Sequence, residues 1–413
     1  MRVSSHSPRI LSNALATLVG RGLAQVVRFL AAVAPAASLS PDDWGLFSVL
    51  VATVEVVRAI TNFGLDAALV RWLTVYADAA GDVLGRVLRI KTLLAMAGVA
   101  GLVGYAIVRQ ESVRAPWMLS ALSVGLLPFG WTQSLTSRFQ AHHAMRFLIP
   151  VQIAVGFLYL SAVVIASVLN VQLSGFILLA VGYEFATWAG TALVARRKLS
   201  TETVERASSK TTGELFWEGL PLGGLSIAAV IYARLGVFLV ERSGTLADVG
   251  HLFLAMKIGE QIALLASPIS ISALPVFTRF VHQNEAQKIV PIFRRYSLSG
   301  AALSVTLAAG ISSIAAPLIL RLNPEYLNAV PPVVVMAWCA VFMFQNQLSI
   351  GVVTAFGKFR QLFGITLLNL AVNMVLAVLL IPEYEAVGAS LAMLGTESLH
   401  CLIQLVVVAR LLR

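Results

Sequence analysis

The chain has 413 residues, of which 58% are hydrophobic and only 12% charged, at a mean hydropathy of +0.85. A soluble domain carries about 25% charged residues, so this composition cannot clothe a globular surface in water and points to a protein that lives in lipid. The net charge of +10 has no loop long enough to fold into a basic nucleic-acid-binding domain. It reads instead as a topology signal and as contact with anionic lipid headgroups.

Continuous apolar runs such as 93–108 and 153–181 exceed any ordinary strand or core helix and suit bilayer-spanning helices. A closed barrel would show alternating segments of about ten residues instead. The expected fold is an all-α polytopic membrane protein with twelve spans, at 10–36, 44–70, 84–108, 115–137, 147–169, 172–195, 215–240, 249–277, 290–314, 328–352, 360–381 and 386–409. The first span carries Arg21 and Arg28 and lacks a small-residue cleavage site, so it reads as a retained helix and not a removable leader.

The loops between these spans obey the positive-inside rule. One set holds Arg2 and Arg9, then Arg71, Arg86, Arg89 and Lys91, then Arg138 and Arg146. It continues with Arg196, Arg197, Lys198, Arg206 and Lys210, then Arg279, Lys288, Arg294 and Arg295, and ends with Lys358, Arg360, Arg410 and Arg413. The alternate set holds only Arg109, Arg114, Arg242 and Arg321, beside Asp42, Asp43, Glu383 and Glu385. Both ends are therefore expected in the cytoplasm. The polar segment 196–214 reads as a linker between an N-terminal six-helix bundle, 1–195, and a C-terminal one, 215–413.

The second and eighth spans align at a constant offset of 205 residues, which carries Asp43, Gly45 and Glu55 onto Asp248, Gly250 and Glu260. Identity along the match is low, but both segments run in one direction and share an acid at membrane depth. Parallel repeats of this kind occur in secondary transporters.

A charge near the bilayer centre costs several kcal/mol unless it faces water or a partner. This chain places Arg21, Arg28, Glu55, Arg58 and Glu184 there in its first half, and Arg234, Lys257, Glu260 and Glu397 in its second. Arg21, Gln25 and Arg28 fall on one helical face. Glu55–Arg58 and Lys257–Glu260 stand three apart, so each pair can meet on its own helix. These pairs are either structural ion pairs, or part of a cationic cavity in which surplus basic groups (Arg21, Arg28, Arg58, Arg234, Lys257) hold an anion. Arginine suits bidentate phosphate contact and lysine supplies a point charge, which makes a phosphate or pyrophosphate group the natural guest. Glu55, Glu184, Glu260 and Glu397 are the candidates for coupling to a proton or sodium ion.

Gln345, Asn346 and Gln347 sit mid-span, as do Asn369 and Asn373. Such amides either hydrogen-bond between helices or contact sugar hydroxyls, with Gln345, Asn346, Asn369 and Asn373 the candidates. His142 and His143 read as solvated loop residues, and Trp44, Trp72, Trp117 and Trp217 as interfacial aromatics. Cys339 and Cys401 read as small apolar helix residues, with neither disulfide nor metal spacing. No phosphate-binding loop, zinc-ligand cluster or nucleophile elbow occurs, so neither an enzyme nor a resident metal or cofactor is expected.

Against these residues a family resemblance stands out. Pro41, Asp43, Trp44, Gly45 and Phe47, then Phe63, Gly64, Leu65 and Arg71, resemble the first extracellular turn and second helix of polysaccharide (O-antigen, Wzx-like) flippases. These belong to the multidrug/oligosaccharidyl-lipid/polysaccharide (MOP) exporter superfamily. EGLPLGG (218–224), DVGHLFLAMKI (248–258), AFGKFRQ (355–361) and IPEYEAVGASLAM (381–393) are similar to further family stretches, with Glu385 standing where that family usually has Gly.

The resemblance implies a V-shaped pair of six-helix bundles working by alternating access in the bacterial inner membrane. The implied cargo is undecaprenyl-pyrophosphate-linked oligosaccharide, and polysaccharide polymerase or export proteins are implied partners. It also implies cavity roles for Arg28, Arg58 and Lys257, whose helices carry cavity cations in related lipid II flippases. Two rival readings remain: an ion-coupled multidrug exporter of the same superfamily, and a non-transporting scaffold of a polysaccharide synthesis complex.

Overall fold

In the computed structural model the described residues, 22–75, 80–108, 116–142, 144–199 and 212–412, are almost wholly helical and contain no strand. In chain order the helices are α1 (Gly22–Ala37), α2 (Pro41–Asn62), α3 (Leu65–Val75), α4 (Ala80–Val108), α5 (Pro116–Val124), α6 (Leu126–Ala141) and α7 (Ile149–Val168). There follow α8 (Leu173–Lys198), α9 (Thr212–Ser243), α10 (Leu246–Leu264), α11 (Ser267–His282), α12 (Ile289–Leu322), α13 (Val330–Ala355) and α14 (Phe359–Leu411). Among the described residues nine helical stretches are long and apolar enough to cross a membrane, with Gly22–Ala37 a shorter apolar helix beside them. Large apolar side chains such as Leu93, Val108, Val168 and Leu379 stand exposed, as a lipid-facing surface requires.

Three of the expected spans prove to be broken helices, each at an identifiable chemical cause. Span 44–70 is α2 followed by α3, parted at Phe63 and Gly64, which both take positive φ (46° and 66°). Span 115–137 is α5 followed by α6. Pro128 has no amide hydrogen to bond the carbonyl four residues back, so the ladder fails near Gly125. Span 249–277 is α10 followed by α11, where Pro268 sits in the first turn of the new helix, a position that suits its missing amide hydrogen.

The last two expected spans both lie in α14, whose helical path is interrupted at Glu385 (φ 49°, ψ −123°). At 1.5 Å per residue, positions eight apart on a straight helix are about 12 Å apart. Yet a Cβ on Gly388 would come within 2.3 Å of the Leu380 carbonyl. The chain therefore turns back on itself here, in a backbone conformation suited to glycine.

The protein packs into two compact units. One gathers residues 22–35 with 50–230; the other gathers 36–49 with 231–412. Their divisions fall inside α2 and α9. In the first unit, Leu65, Leu69, Trp72, Val83 and Val87 form a dry cluster between α3 and α4. Beside it, Lys91 of α4 is 2% exposed and ion-paired to Asp66 of α3. The sequence reading placed Lys91 in a cytoplasmic loop; it is instead an internal tie, bought by a carboxylate that hydropathy alone does not reveal. In the second unit Phe277, Ile289, Val352, Val353, Leu362 and Val408 make the corresponding core of α11 to α14.

The 205-residue repeat has a physical counterpart within the second unit. Ser40 accepts a hydrogen bond from the Asp43 amide, and Thr245 accepts one from the Asp248 amide in a full capping box. The offset that carries Ser40 onto Thr245 also carries Pro41 onto Leu246 and Gly45 onto Gly250. A Cβ on Gly45 would meet the Leu246 carbonyl at 1.8 Å, and one on Gly250 would meet the Pro41 carbonyl at 2.3 Å. The first turns of α2 and α10 thus cross backbone to backbone, each glycine seated on the other helix's first carbonyl, as small residues permit in membranes. Asn323 and Tyr326 hold the preceding turn by donating to the carbonyls of Ala36, Leu39 and Ser40.

Candidate substrate and ion sites

In the first unit the polar groups at membrane depth converge across helices. Arg58 of α2 reaches Glu184 of α8 at 2.9 Å, and its guanidinium lies 4.0 Å over the Phe129 ring of α6. The partner expected from spacing was Glu55, three residues earlier. The ion pair to Glu184 ties α2 to α8, a contact between helices that spacing along one helix does not reveal. Arg28 of α1 donates to Gln25 at 2.8 Å and lies beside Tyr183. Arg21 falls outside the described residues. The first two spans set Arg21, Arg28 and Arg58 against Glu55, and Glu184 of α8 adds a second acid to that balance.

The second unit holds two polar clusters. In the first, Arg234 of α9 binds Glu260 of α10 at 2.8 Å, and Lys257 approaches the other Glu260 oxygen at 3.5 Å. Lys257 also lies 4.6 Å over the Phe253 ring. Two cations thus share one carboxylate among apolar helices. Guanidinium and ammonium groups are the donors that pair most strongly with carboxylate and phosphate oxygens.

The second cluster surrounds Glu397 in the last part of α14, 5% exposed. Tyr232 of α9 donates its hydroxyl to Glu397 Oε1 at 2.7 Å, and Asn346 of α13 donates to Oε2 at 2.6 Å. His400 stands one turn on, with Nδ1 3.6 Å from Oε2, and Gln404 Nε2 lies 3.2 Å from His400 Nε2. Sequence reasoning named Glu397 and Asn346 but not Tyr232, His400 or Gln404. The spacing of Glu397, His400 and Gln404 at i, i+3 and i+7 was the signal available for two of them.

The four amides proposed for sugar contact are all buried in this unit. Gln345 exchanges hydrogen bonds with the hydroxyl and carbonyl of Ser297 on α12. Asn373 donates to Thr396, Asn346 serves Glu397, and Asn369 packs nearby on α14. Cys339 and Cys401 are buried free thiols. Among the described residues no group of three or more His, Cys, Asp or Glu side chains is placed to hold a metal ion.

Solved structures on which the chain superposes include transporters and a flippase. The chain superposes on an inward-facing multidrug resistance MATE family transporter of the MOP superfamily with a TM-score of 0.77 at 11% identity, covering 94% of each chain. It superposes equally on the lipid II flippase MurJ in an inward closed conformation (TM-score 0.77, 11% identity, 97% of this chain and 87% of that one). A MOP superfamily transporter from Pyrococcus furiosus, described as having a binding pocket of reversed polarity, matches at TM-score 0.71 and 9% identity over 98% and 95% of the two chains. No curated protein matches the sequence. At these identities the likeness speaks for the fold alone, and the family rests on sequence: residues 10–281 match the polysaccharide biosynthesis protein family. This membrane-spanning, all-helical chain with the fold of the MOP superfamily belongs to that polysaccharide biosynthesis protein family.

Proposed function

We propose that the protein is a flippase that moves an undecaprenyl-pyrophosphate-linked oligosaccharide across the bacterial inner membrane by alternating access, for polysaccharide export. On this reading the chain crosses twelve times with both ends in the cytoplasm. The passes are α1, α2 with α3, α4, α5 with α6, α7, α8, α9, α10 with α11, α12, α13 and the two arms of α14. The protein is a transporter and not an enzyme, with no cofactor beyond a coupling proton or sodium ion. Lipids, the glycan carrier and polymerase or export proteins are its partners.

The observation that carries the proposal is the Arg234–Lys257–Glu260 cluster, where two cations share one carboxylate. A charge at this depth costs about 3 kcal/mol, and two cations drawn to one carboxylate suit an anionic cargo that completes the cluster. Family membership and the flippase among the structural neighbours support the same direction. A drug exporter for organic cations would favour a surplus of carboxylates, the reverse of this cluster. A passive scaffold would have no use for the surplus.

The test is Lys257→Gln, which leaves the Arg234–Glu260 pair intact and removes the surplus charge. Surface polymer should fall about tenfold or more at unchanged protein level, while Lys257→Arg retains most export. Full export in Lys257→Gln overturns the anion-binding role.

A further inference from the structure

Three of the carboxylates at membrane depth, Glu184, Glu260 and Glu397, are not in equivalent surroundings. Glu184 faces the Arg58 guanidinium and Glu260 faces both Arg234 and Lys257. Glu397 instead receives a phenol and a primary amide, both neutral. The thiols of Cys339 on α13 and Cys401 on α14 are within electrostatic reach of it, and they too are neutral. Asn373 and Thr396 bond one another alongside, and the charged pair of α10, Lys257 and Glu260, is engaged with itself and Arg234. The titratable group poised to balance Glu397 is His400, at 3.6 Å.

An ionised carboxylate among neutral donors in an apolar bundle is unfavourable by several kcal/mol, and it relieves this by taking up a proton or by charging a neighbour. The imidazole is equipped for both states. With His400 neutral and its hydrogen on Nδ1, Nε2 accepts from the Gln404 amide nitrogen at 3.2 Å. The Gln404 carbonyl oxygen is then left without a partner, and it is buried. A half-turn of that amide presents the oxygen to an Nε2–H, so the same side chain satisfies the protonated ring. His400 is also the more open of the two, with its side chain 12% exposed against 6% for Glu397, which suits it to pass a proton inward.

We infer that Glu397 and His400 form a binding site for one exchangeable proton inside the second unit, with Tyr232, Asn346 and Gln404 as its positioning residues. The proton arrives from water on the imidazole and is shared with Glu397 Oε2; the pair alternates between net charge −1 and zero, and no other bond is made or broken. The inference rests on the transport reading for what the proton is used for, but its occupancy is a property of the protein alone.

The test is infrared difference spectroscopy on the full chain in vesicles of phosphatidylcholine, without any glycan lipid, between ~pH 8 and ~pH 5, a range that spans imidazole and buried carboxyl titration. A protonated-carboxyl band should grow as pH falls and be lost in Glu397→Gln. In His400→Gln its midpoint should move by about one pH unit or more. In Tyr232→Phe the midpoint should rise, because a donor to the ionised form is gone; a merely structural tyrosine would not move it. A band that persists in Glu397→Gln, or no band in the parent, overturns the inference. So does a Glu397-dependent response to added sodium at fixed pH without protonation. Export lost in Lys257→Gln with no Glu397 band would sink this site alone. The band present with full export in Lys257→Gln would sink the anion-binding role of Lys257 and leave the proton site standing.

Discussion

Tyr232 and Arg234 stand two residues apart on α9, about 200° around the helix, and they serve carboxylates in contrasting circumstances. Arg234 turns to Glu260, where charge meets charge and a second cation is left over. Tyr232 turns to Glu397, where neutral donors surround a carboxylate and one imidazole waits nearby. The same residue type meets two cations on the first side and mainly neutral donors on the second. A single helix thus separates a carboxylate met by charged partners from one met by neutral donors.

The largest effect should come from breaking the charged side. Glu260→Ala strands Arg234 and Lys257 in an apolar setting, and loss of one member of a buried ion pair costs about 3 kcal/mol. Thermal unfolding in detergent should register it as a clear drop, and Arg234→Met in the same background should restore part of the loss. A smaller change in the glutamate variant than in the matched double would show that the pair does not hold α9 to α10.

Next come the glycines that set where α10 begins. Gly45→Ala should destabilise by about 2 kcal/mol, the scale of overpacking at a tight contact, since its Cβ would overlap the Leu246 carbonyl. Gly250→Ala should behave alike, and the double variant should cost less than the two added, because both substitutions pry apart one contact. These changes shift the helix that carries Lys257 and Glu260. They should therefore alter export more than the Glu397 titration, a dissociation that sharpens the contrast between the two sides.

A gain is expected at the turn inside α14. Glu385 is exposed and adopts φ 49°, a conformation that strains a side chain by about 1 kcal/mol or more. Glu385→Gly should raise the unfolding temperature by relieving it. The smallest effect should be that of Glu397→Gln on stability, under about 1 kcal/mol, since the amide still accepts from Tyr232. A carboxylate as structurally committed as Glu260 would not tolerate this exchange.

Much of this arrangement was legible in the residues. Apolar runs located the helices, and prolines at 116, 128 and 268 carried the signals for where helices start or break. Glycines of the family-like stretches turn out to occupy positions with a mechanical reason: Gly64 and Gly357 take positive φ, and Gly45 and Gly250 allow backbone contact. The Lys257–Glu260 approach was visible because its partners are three residues apart. What could not be read was pairing between helices. Tyr232 meets Glu397 across 165 positions and Arg234 meets Glu260 across 26, and Lys91 was misplaced because its neutralising Asp66 lies on another helix. Periodicity reports which face a residue occupies, not which helix that face will meet.

The crossing of α2 and α10 has one more consequence. In the language of oligomers it is an isologous contact, a patch meeting its own counterpart, as at the two-fold axis of a dimer, except that both copies belong to one chain. Each glycine is constrained by the carbonyl of the other arm and not by its own helix. A single structural element is therefore written into the chain twice, and neither copy is free to drift alone.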